Sequence, residues 1–237
     1  MKNEILIFRH FPAEGPGYFA EFLDRHGIRH RTIKVDQGEP VPESIADIPG
    51  LVFMGGPMSV NDTLPWIPRV LRLIRQAVAA DVPVLGHCLG SQLMSKALGG
   101  RVRRHRAKEI GWLPVQTVDS PQAAKWLNGL PPRFEVFHWH GETFSLPPGA
   151  QHILRSRLCR NQGFVIGKSL ALQCHIEMTP DMVRNWTRAG ETEIAQAMPT
   201  VGVQRRARIL QGLVARNTRL HHVADAFYSN WIKGLGR

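Results

Sequence analysis

Short apolar runs alternate with amphipathic segments over the first hundred residues. Four runs have the length and composition of buried strands, at residues 5–10, 31–35, 50–54 and 82–85. Segments 18–26 and 66–80 lie between them and repeat apolar residues at helical spacing, and Gly27 is placed to end the first helix. Strands that alternate with helices in this way predict βαβ units and a parallel sheet.

The pattern changes after a helix predicted over residues 89–98, which Gly99 and Gly100 end. Strand-like pieces separated by proline and glycine turns follow near residues 111–118, 135–140, 163–167 and 169–175. These pieces predict a small antiparallel extension of the sheet. We therefore expect an α/β fold with a mostly parallel open sheet flanked by helices.

The chain becomes helical beyond the last predicted strand. Thr179 suits an N-cap, Pro180 the first helical position and Asp181 the first turn. Further helices are predicted over residues 203–215 and 220–231. No repeat or low-complexity linker interrupts the sequence, so we expect one domain over residues 1–182 and a helical extension over residues 183–237 packed on that domain.

The composition is that of a globular protein, with 43% hydrophobic and 21% charged residues. The three cysteines, Cys88, Cys159 and Cys174, lack paired spacing, so we expect reduced thiols rather than a disulfide framework or a structural zinc site. The apolar run at residues 5–10 is shorter than the core of a signal peptide, and no window approaches the ~20 apolar residues of a membrane-spanning helix. These features predict a cytoplasmic protein with no membrane partner.

The formal net charge is +11, and arginines at residues 101–106 and 204–219 contribute much of it. Basic patches attract nucleic acid or acidic partners. No zinc-finger spacing, aromatic-basic interleaving or known nucleic-acid module accompanies these arginines. A solvated basic face is the preferred interpretation, and nucleic acid is not expected as a partner.

The sequence GHCLGSQ at residues 86–92 follows an apolar strand and precedes a helix, which is the layout of a nucleophile elbow. Glycines flank such a bend because neighbouring backbone must approach it closely. The thiol of Cys88 would project above the carboxyl edge of the sheet, where the positive end of the next helix favours the reactive thiolate. For this motif alone, an ordinary buried cysteine is the alternative interpretation.

A histidine and a carboxylate stand two residues apart at the end of the last predicted strand. Alternation along a strand would place His175 and Glu177 on one face. A thiol needs a base to remove its proton, and the base needs a partner that fixes its tautomer and stabilises the imidazolium. We predict Cys88 as nucleophile, His175 as base and Glu177 as the group that orients the base. For the pair alone, a satisfied histidine beside a solvent carboxylate is the alternative.

His138 and His140 also stand two residues apart and have the chemistry of metal ligands. No third ligand at a characteristic spacing accompanies them, so neither a metal nor another cofactor is expected. Phe137, beside them, is predicted to be a core residue.

Three motifs in this order resemble the class I glutamine amidotransferases: GGPMS at residues 55–59, GHCLGSQ at 86–92 and QCHIE at 173–177. The likeness is strongest to the free-standing group similar to the glutaminase domain of GMP synthase, which KEIGW at 108–112 and HWHGETF at 138–144 also resemble. The resemblance covers residues 5–182 and implies the flavodoxin-like sheet of that family.

The resemblance implies that Cys88 attacks the side-chain carboxamide of glutamine, giving a thioester and ammonia, before water releases glutamate. It also implies an oxyanion hole formed by the backbone N–H groups of Gly56 and Leu89. The positions that match the family's substrate site are Met58, Gln92, Trp139, Gly141 and Glu142. His87 stands where the family usually has an apolar residue, which leaves the shape of the pocket open.

The ammonia acceptor is also left open, because the chain has no Walker-type sequence and no recognisable synthetase segment. Either a separate synthetase subunit receives ammonia from this chain, or the chain is a stand-alone hydrolase of γ-glutamyl amides that uses the same three residues. A related superfamily of cysteine hydrolases and chaperone-like proteins shares the elbow, but the His-x-Glu pair argues against it. A non-catalytic binding or regulatory protein on this fold is the remaining alternative.

Overall fold

A mixed β-sheet forms the centre of the computed structural model, which describes residues 4–127 and 129–236. Within that part of the chain the strands are β1 (Ile5–Arg9), β2 (His30–Lys34), β3 (Leu51–Phe53), β4 (Val84–His87), β5 (Val102–Thr117), β6 (Arg133–Phe144), β7 (Gln151–Ser156), β8 (Gly163–Ile166) and β9 (Ser169–Leu172). They lie in the order β2-β1-β3-β4-β9-β8-β7-β5-β6.

Helices cover both faces of the sheet. Those in the described residues are α1 (Tyr18–Arg25), α2 (Ile67–Ala79), α3 (Leu89–Ala97), α4 (Pro121–Trp126), α5 (Pro180–Ala189), α6 (Glu191–Ala197), α7 (Arg206–Leu210) and α8 (Leu213–Ile232). One apolar core lies between the sheet and helices α2 and α3, where Leu73 and Leu93 are buried. The other lies against α1, α5 and α8, where Phe19, Val183 and Phe227 are buried. Because helices cover both faces of the sheet, the sequences of the parallel strands are continuous apolar runs.

The sheet changes from parallel to antiparallel pairing at β9. Strands β1, β2, β3, β4 and β9 pair in parallel, whereas β8, β7, β5 and β6 continue the sheet by antiparallel pairing. The predicted α/β fold, with its antiparallel extension and helical C-terminal segment, is confirmed. Because β4 and β9 are parallel neighbours, the residues after them leave the sheet at the same edge, where the Cys88 N–H donates to the Leu172 carbonyl oxygen at 2.8 Å.

Some predicted boundaries are wrong. Strand β9 ends at Leu172, so His175 lies beyond it in irregular backbone. The helix predicted over residues 203–215 is interrupted at Gly212, whose φ of +64° is incompatible with a continuous helix, and α8 begins at the next residue. The sequence patterns do not predict α4, α6 or β7.

The C-terminal helices pack against the rest of the fold. Helix α5 begins as predicted, since the Thr179 hydroxyl accepts a hydrogen bond from the Met182 N–H and Pro180 occupies the first turn. Helix α8 buries Tyr228 and Trp231 in the core it shares with α1. The division of the chain at residue 182 stays a prediction. No helix in the described residues combines the length and the apolar character needed to cross a bilayer.

Candidate active site

The turn between β4 and α3 places Cys88 in a strained backbone conformation. Its φ is +49° and its ψ is −105°, a region that residues with a side chain rarely adopt. A Cβ at Gly90 would overlap the carbonyl oxygen of Phe53, and one at Gly86 would lie 2.5 Å from the backbone of Gly90. Both glycines are therefore required for the close packing of this bend, as the elbow motif predicts.

His175 and Glu177 leave the sheet beside this bend. The His175 Nδ1 lies 2.6 Å from the Glu177 Oε1, and both side chains are almost completely buried. Strand alternation does not bring them together, because both residues follow the end of β9, and His175 forms only an isolated bridge with Phe137. A short hydrogen bond between a buried imidazole and a carboxylate fixes the tautomer and the direction of the ring.

The charges in this group stabilise one another. Burial alone would lower the pKa of His175, but the charges of Glu177 and Cys88 and hydrogen bonds to both raise that pKa well above its usual value. Burial would raise the pKa of Glu177, yet His87 and His175 lower it to about 2. An imidazolium at His175 is therefore stabilised by Glu177 and by Cys88.

Two further groups contact the sulfur of Cys88. The thiol donates to the Trp139 carbonyl oxygen at 3.8 Å, and the Gln173 Nε2 donates to the sulfur at 3.6 Å. The Gln92 Nε2 donates in turn to the Gln173 Oε1 at 3.2 Å, so two buried amides are linked beside Cys88. Sequence reasoning gave Gln173 no role, although it lies inside the QCHIE motif.

The two residues predicted to form an oxyanion hole are adjacent across the bend. A Cβ at Gly56 would lie 2.8 Å from the Leu89 Cδ2 and 2.5 Å from the Met58 Sδ. The Leu89 N–H belongs to the first turn of α3, so it has no acceptor within its own helix. Gly56 lines the same pocket as Cys88, which leaves its backbone close to a bound ligand.

A pocket of about 840 Å³ opens onto Cys88. It is lined by all five residues predicted to bind substrate: Met58, Gln92, Trp139, Gly141 and Glu142. Ser59 Oγ donates to Glu142 Oε1 at 3.0 Å and so holds this carboxylate in the pocket wall. Arg104 and Lys108 also line the pocket, so part of the basic stretch predicted to be a solvated face borders this site.

Helices α5 and α6 supply a wall of the pocket that the sequence did not predict. The ring of Trp186 packs perpendicular to the ring of His175 with centroids 4.9 Å apart, and its Nε1 donates to the Ala13 carbonyl oxygen at 2.8 Å. Glu193 accepts a hydrogen bond from the Trp139 Nε1 at 2.9 Å. No local pattern marks these residues, because their partners lie far away in the sequence.

Glu14 is an acidic pocket residue that sequence reasoning did not single out. A Cβ at Gly55 would overlap the Glu14 Oε2 and lie 3.1 Å from the His175 Cε1, so the missing side chain at Gly55 lets this carboxylate approach His175. Burial raises the pKa of Glu14 to about 7; the charge of His175 opposes this rise and that of Glu177 favours it. The carboxylate therefore changes its charge near neutral pH beside His175.

Glu109 supplies a third potential metal ligand next to His138 and His140. Strands β5 and β6 place potential ligand atoms of these three buried residues within 4.8 Å of one another. Sequence analysis found no third ligand at a characteristic spacing, and Glu109 was missed because spacing along the chain does not reveal a partner on the next strand. The Glu109 carboxylate already accepts hydrogen bonds from Ser156 Oγ at 2.7 Å and Gln162 Nε2 at 2.6 Å. These bonds hold the carboxylate without an ion.

Comparison with known families shows which proteins this chain is related to. The family model described as glutamine amidotransferase class-I matches residues 20–185, most of the chain. The chain belongs to this family. The matched segment contains Cys88, His175 and Glu177, the three residues that meet at the carboxyl edge of the sheet.

Relatives of this amidotransferase chain include proteins that are named as a GMP synthase and proteins that are not. The glutamine amidotransferase-like protein YfeJ of Salmonella typhimurium is 30% identical over 194 residues, which cover 79% of this chain and 81% of YfeJ. One subunit of the glutamine-hydrolyzing GMP synthase of Sulfolobus acidocaldarius is 34% identical over 117 residues, which cover 48% of this chain and 57% of that relative. A crystal structure of a glutamine amido transferase from Methylobacillus flagellatus is 45% identical with a TM-score of 0.96, covering 100% of this chain and 97% of that one.

Proposed function

We propose that this chain hydrolyses the side-chain amide of glutamine through a thioester on Cys88, giving glutamate and ammonia. The observation that carries the proposal is the 2.6 Å contact of His175 with Glu177 beside a cysteine held on a strained turn. Membership of the glutamine amidotransferase family supports the same class of reaction.

In the first half of this mechanism His175 acts as base and then as acid. It removes the proton of the Cys88 thiol, and the thiolate attacks the amide carbon of glutamine. Collapse of the tetrahedral intermediate breaks the bond between carbon and nitrogen, and the imidazolium returns its proton to the departing ammonia. The raised pKa of His175 supports this step, because the imidazolium must persist until the leaving group accepts the proton.

In the second half, water hydrolyses the thioester. His175 removes a proton from the water, which attacks the acyl carbon, and the thiol leaves as glutamate is released. Glu177 keeps the same ring nitrogen of His175 engaged in both halves, so the other nitrogen faces the reacting atoms each time.

The negative oxygen of each tetrahedral intermediate would be bound by the N–H groups of Gly56 and Leu89. The closeness of the two residues across the bend and the free first-turn N–H of Leu89 support this role. One donor of this kind lowers the barrier by about 3–4 kcal/mol.

The amino-acid part of glutamine would bind along the wall that contains Met58, Gln92, Trp139, Gly141 and Glu142. We assign the α-ammonium group to Glu142, whose ordered carboxylate carries the opposite charge. One N–H of the Gln92 amide is engaged by Gln173, so its second N–H and its Oε1 are the groups that would contact the substrate.

Hydrolysis of γ-glutamyl amides larger than glutamine is the second candidate, and the size of the pocket favours it. At about 840 Å³ the pocket lies toward the upper end of the roughly 300–1,000 Å³ range of small-molecule sites. That volume leaves room for a γ-glutamyl group together with an amine bulkier than ammonia. The catalytic steps would be the same, with the amine in place of ammonia as leaving group.

A separate synthetase subunit is proposed as the ammonia acceptor if glutamine is the substrate. The similarity to the Sulfolobus protein supports this arrangement, because that relative is named as one subunit of a GMP synthase. The match spans little more than half of that relative's length.

A substrate panel tests these proposals directly. Purified protein would be assayed for release of glutamate from glutamine and from γ-glutamyl dipeptides, with a Cys88→Ala variant as control. Glutamine turnover that the variant lacks supports the first candidate. Rapid cleavage of dipeptides without glutamine turnover rejects it in favour of the second. Heparin binding that is sensitive to salt, without any thiol-dependent hydrolysis, would reject both in favour of a non-catalytic binding protein.

A further inference from the structure

Only one oxygen of the Glu177 carboxylate is bound by His175. Oε1 lies against the base at 2.6 Å, whereas Oε2 is buried and has no hydrogen-bond partner in the described part of the chain. A buried carboxylate oxygen without a donor is unfavourable, so a donor approaching it from another element stabilises it. His87 on β4 is such a group, since its Nε2 lies 3.7 Å from Oε2.

His87 is the residue directly before the nucleophile, and its ring is completely buried. Burial lowers the pKa of His87 against the opposing charge of Glu177, so the ring carries one proton. Its Nδ1 has no partner in the described residues, whereas Nε2 lies 3.0 Å from the Tyr228 hydroxyl oxygen. An unpaired buried N–H is less favourable than an unpaired lone pair, and an N–H is attracted to the carboxylate. The proton therefore belongs on Nε2.

Tyr228 connects this pair of side chains to the C-terminal helix. It lies on α8, its ring is completely buried, and it packs edge-on against Phe19 of α1 with centroids 4.7 Å apart. Burial and the charge of Glu177 raise the pKa of Tyr228 well above its usual value, so the hydroxyl stays neutral. The phenol can accept the hydrogen bond of the His87 Nε2 and so fix the direction of that ring.

We propose that Tyr228 and His87 are positioning residues for the catalytic carboxylate: the Tyr228 hydroxyl oxygen accepts from the His87 Nε2–H and fixes the ring, and this keeps the same nitrogen 3.7 Å from the free oxygen of Glu177. This inference rests on the proposed function, in which Glu177 must stay aligned with His175. The 3.7 Å separation makes the contact electrostatic, so its effect is smaller than that of the Glu177 hydrogen bond itself. In this arrangement Tyr228 of the C-terminal extension and His87, which departs from the family pattern, both help to position Glu177.

Several titratable groups face the Glu177 carboxylate and bear on any measurement of pH dependence. They are His87 on β4, His175 and Cys174 after β9, Glu14 after β1, and Tyr228 on α8. A variant that changes one side chain must therefore be compared with a control that leaves all of them in place.

The chain's other tyrosine provides that control. Tyr18 lies on α1 and donates its hydroxyl hydrogen to Asp225 Oδ1 of α8 at 2.8 Å, so Tyr18→Phe removes a hydroxyl from the same interface without altering His87. Two readouts apply: kcat and KM for glutamate release, and the rate of Cys88 alkylation by iodoacetamide as a function of pH. Alkylation requires no knowledge of the physiological substrate.

We expect Tyr228→Phe to lower kcat on the order of fivefold with KM unchanged, as for the loss of one buried hydrogen bond. The midpoint of the alkylation profile should move to higher pH, because a less well aligned Glu177 stabilises the His175 imidazolium less. Tyr18→Phe should change neither readout. His87→Gln, which keeps a side-chain N–H, should retain more activity than His87→Leu, and Tyr228→Phe should add nothing to His87→Leu.

The inference is overturned if Tyr228→Phe behaves like Tyr18→Phe, or if its full effect persists when His87 is already leucine. Both phenylalanine variants keep their buried rings, so they decide the question if His87→Leu does not fold. If the wild-type protein releases neither ammonia nor glutamate, the proposed function fails and the alkylation profiles alone test the positioning role.

Discussion

The two sides of the pocket are built in different ways. The sheet side carries Cys88, His175 and Glu177, which follow the neighbouring parallel strands β4 and β9 and are recognisable from short motifs. The helical side carries Trp186 and Glu193, which belong to no recognisable motif. Packing of α5 and α6 brings them to the site. In the proposed mechanism the sheet edge supplies the reacting atoms, whereas the helical side encloses and aligns them.

Replacing the nucleophile gives the largest expected effect and tests the sheet side alone. Cys88→Ala should lower kcat by roughly 10⁴-fold or more, because the bond-forming atom is lost. Far-UV circular dichroism and the melting temperature should stay close to those of the wild type, since the substitution removes only one sulfur atom. Residual turnover within tenfold of the wild type would assign the chemistry to another residue.

Glu177→Gln should give the next largest effect. The amide keeps the size of the carboxylate but removes the charge that stabilises the His175 imidazolium, so kcat should fall by roughly 10²–10⁴-fold with little change in KM. Steady-state kinetics check this, and Glu21→Gln on the exposed face of α1 serves as the matched control. Equal activities of the two variants would remove Glu177 from the mechanism.

Glu14→Gln tests a residue that contacts the sheet side but belongs to none of its motifs. The pKa of Glu14 is about 7, so the wild-type carboxylate is neutral below pH 7 and negative above it. The negative form stabilises the His175 imidazolium, so wild-type kcat/KM should gain roughly fivefold as pH rises through 7. The variant should match the wild type near pH 6 and lack this rise; identical profiles from pH 6 to pH 8 would contradict the assignment.

Trp186→Phe should give the smallest effect and tests the helical side. The variant keeps an aromatic ring against His175 but loses the hydrogen bond to the Ala13 carbonyl oxygen, so kcat/KM should fall about threefold. Trp126→Phe on α4 is the matched control, because Trp126 is also buried but does not line the pocket. A loss common to both variants would indicate general destabilisation instead of a role at the site.

The sequence predicts most of the sheet side because its chemistry is local. Glycines around Cys88 and the His-x-Glu spacing each lie within a few residues, so the elbow and the base are visible before any tertiary contact is known. Strand alternation predicts that His175 and Glu177 lie on one face. That reason is wrong, because β9 ends before either residue.

The helical side could not be predicted, because its contacts join distant segments. Trp186 bonds to Ala13, and Tyr228 bonds to His87. Glu109 likewise approaches His140 only through pairing of β5 with β6. Periodicity along a helix or strand indicates which face a residue lies on, but it carries no information on which distant group that residue meets.

The site of modification by an electrophilic glutamine analogue, such as a chloroketone, decides whether Cys88 is the nucleophile. Cys159 and Cys174 are completely buried and burial raises the pKa of both thiols, whereas Cys88 opens onto the pocket. We predict one adduct per chain, mapped by mass spectrometry to Cys88, with hydrolysis lost in proportion to labelling. An adduct on either other cysteine, or complete labelling of Cys88 with hydrolysis intact, would contradict the proposed mechanism.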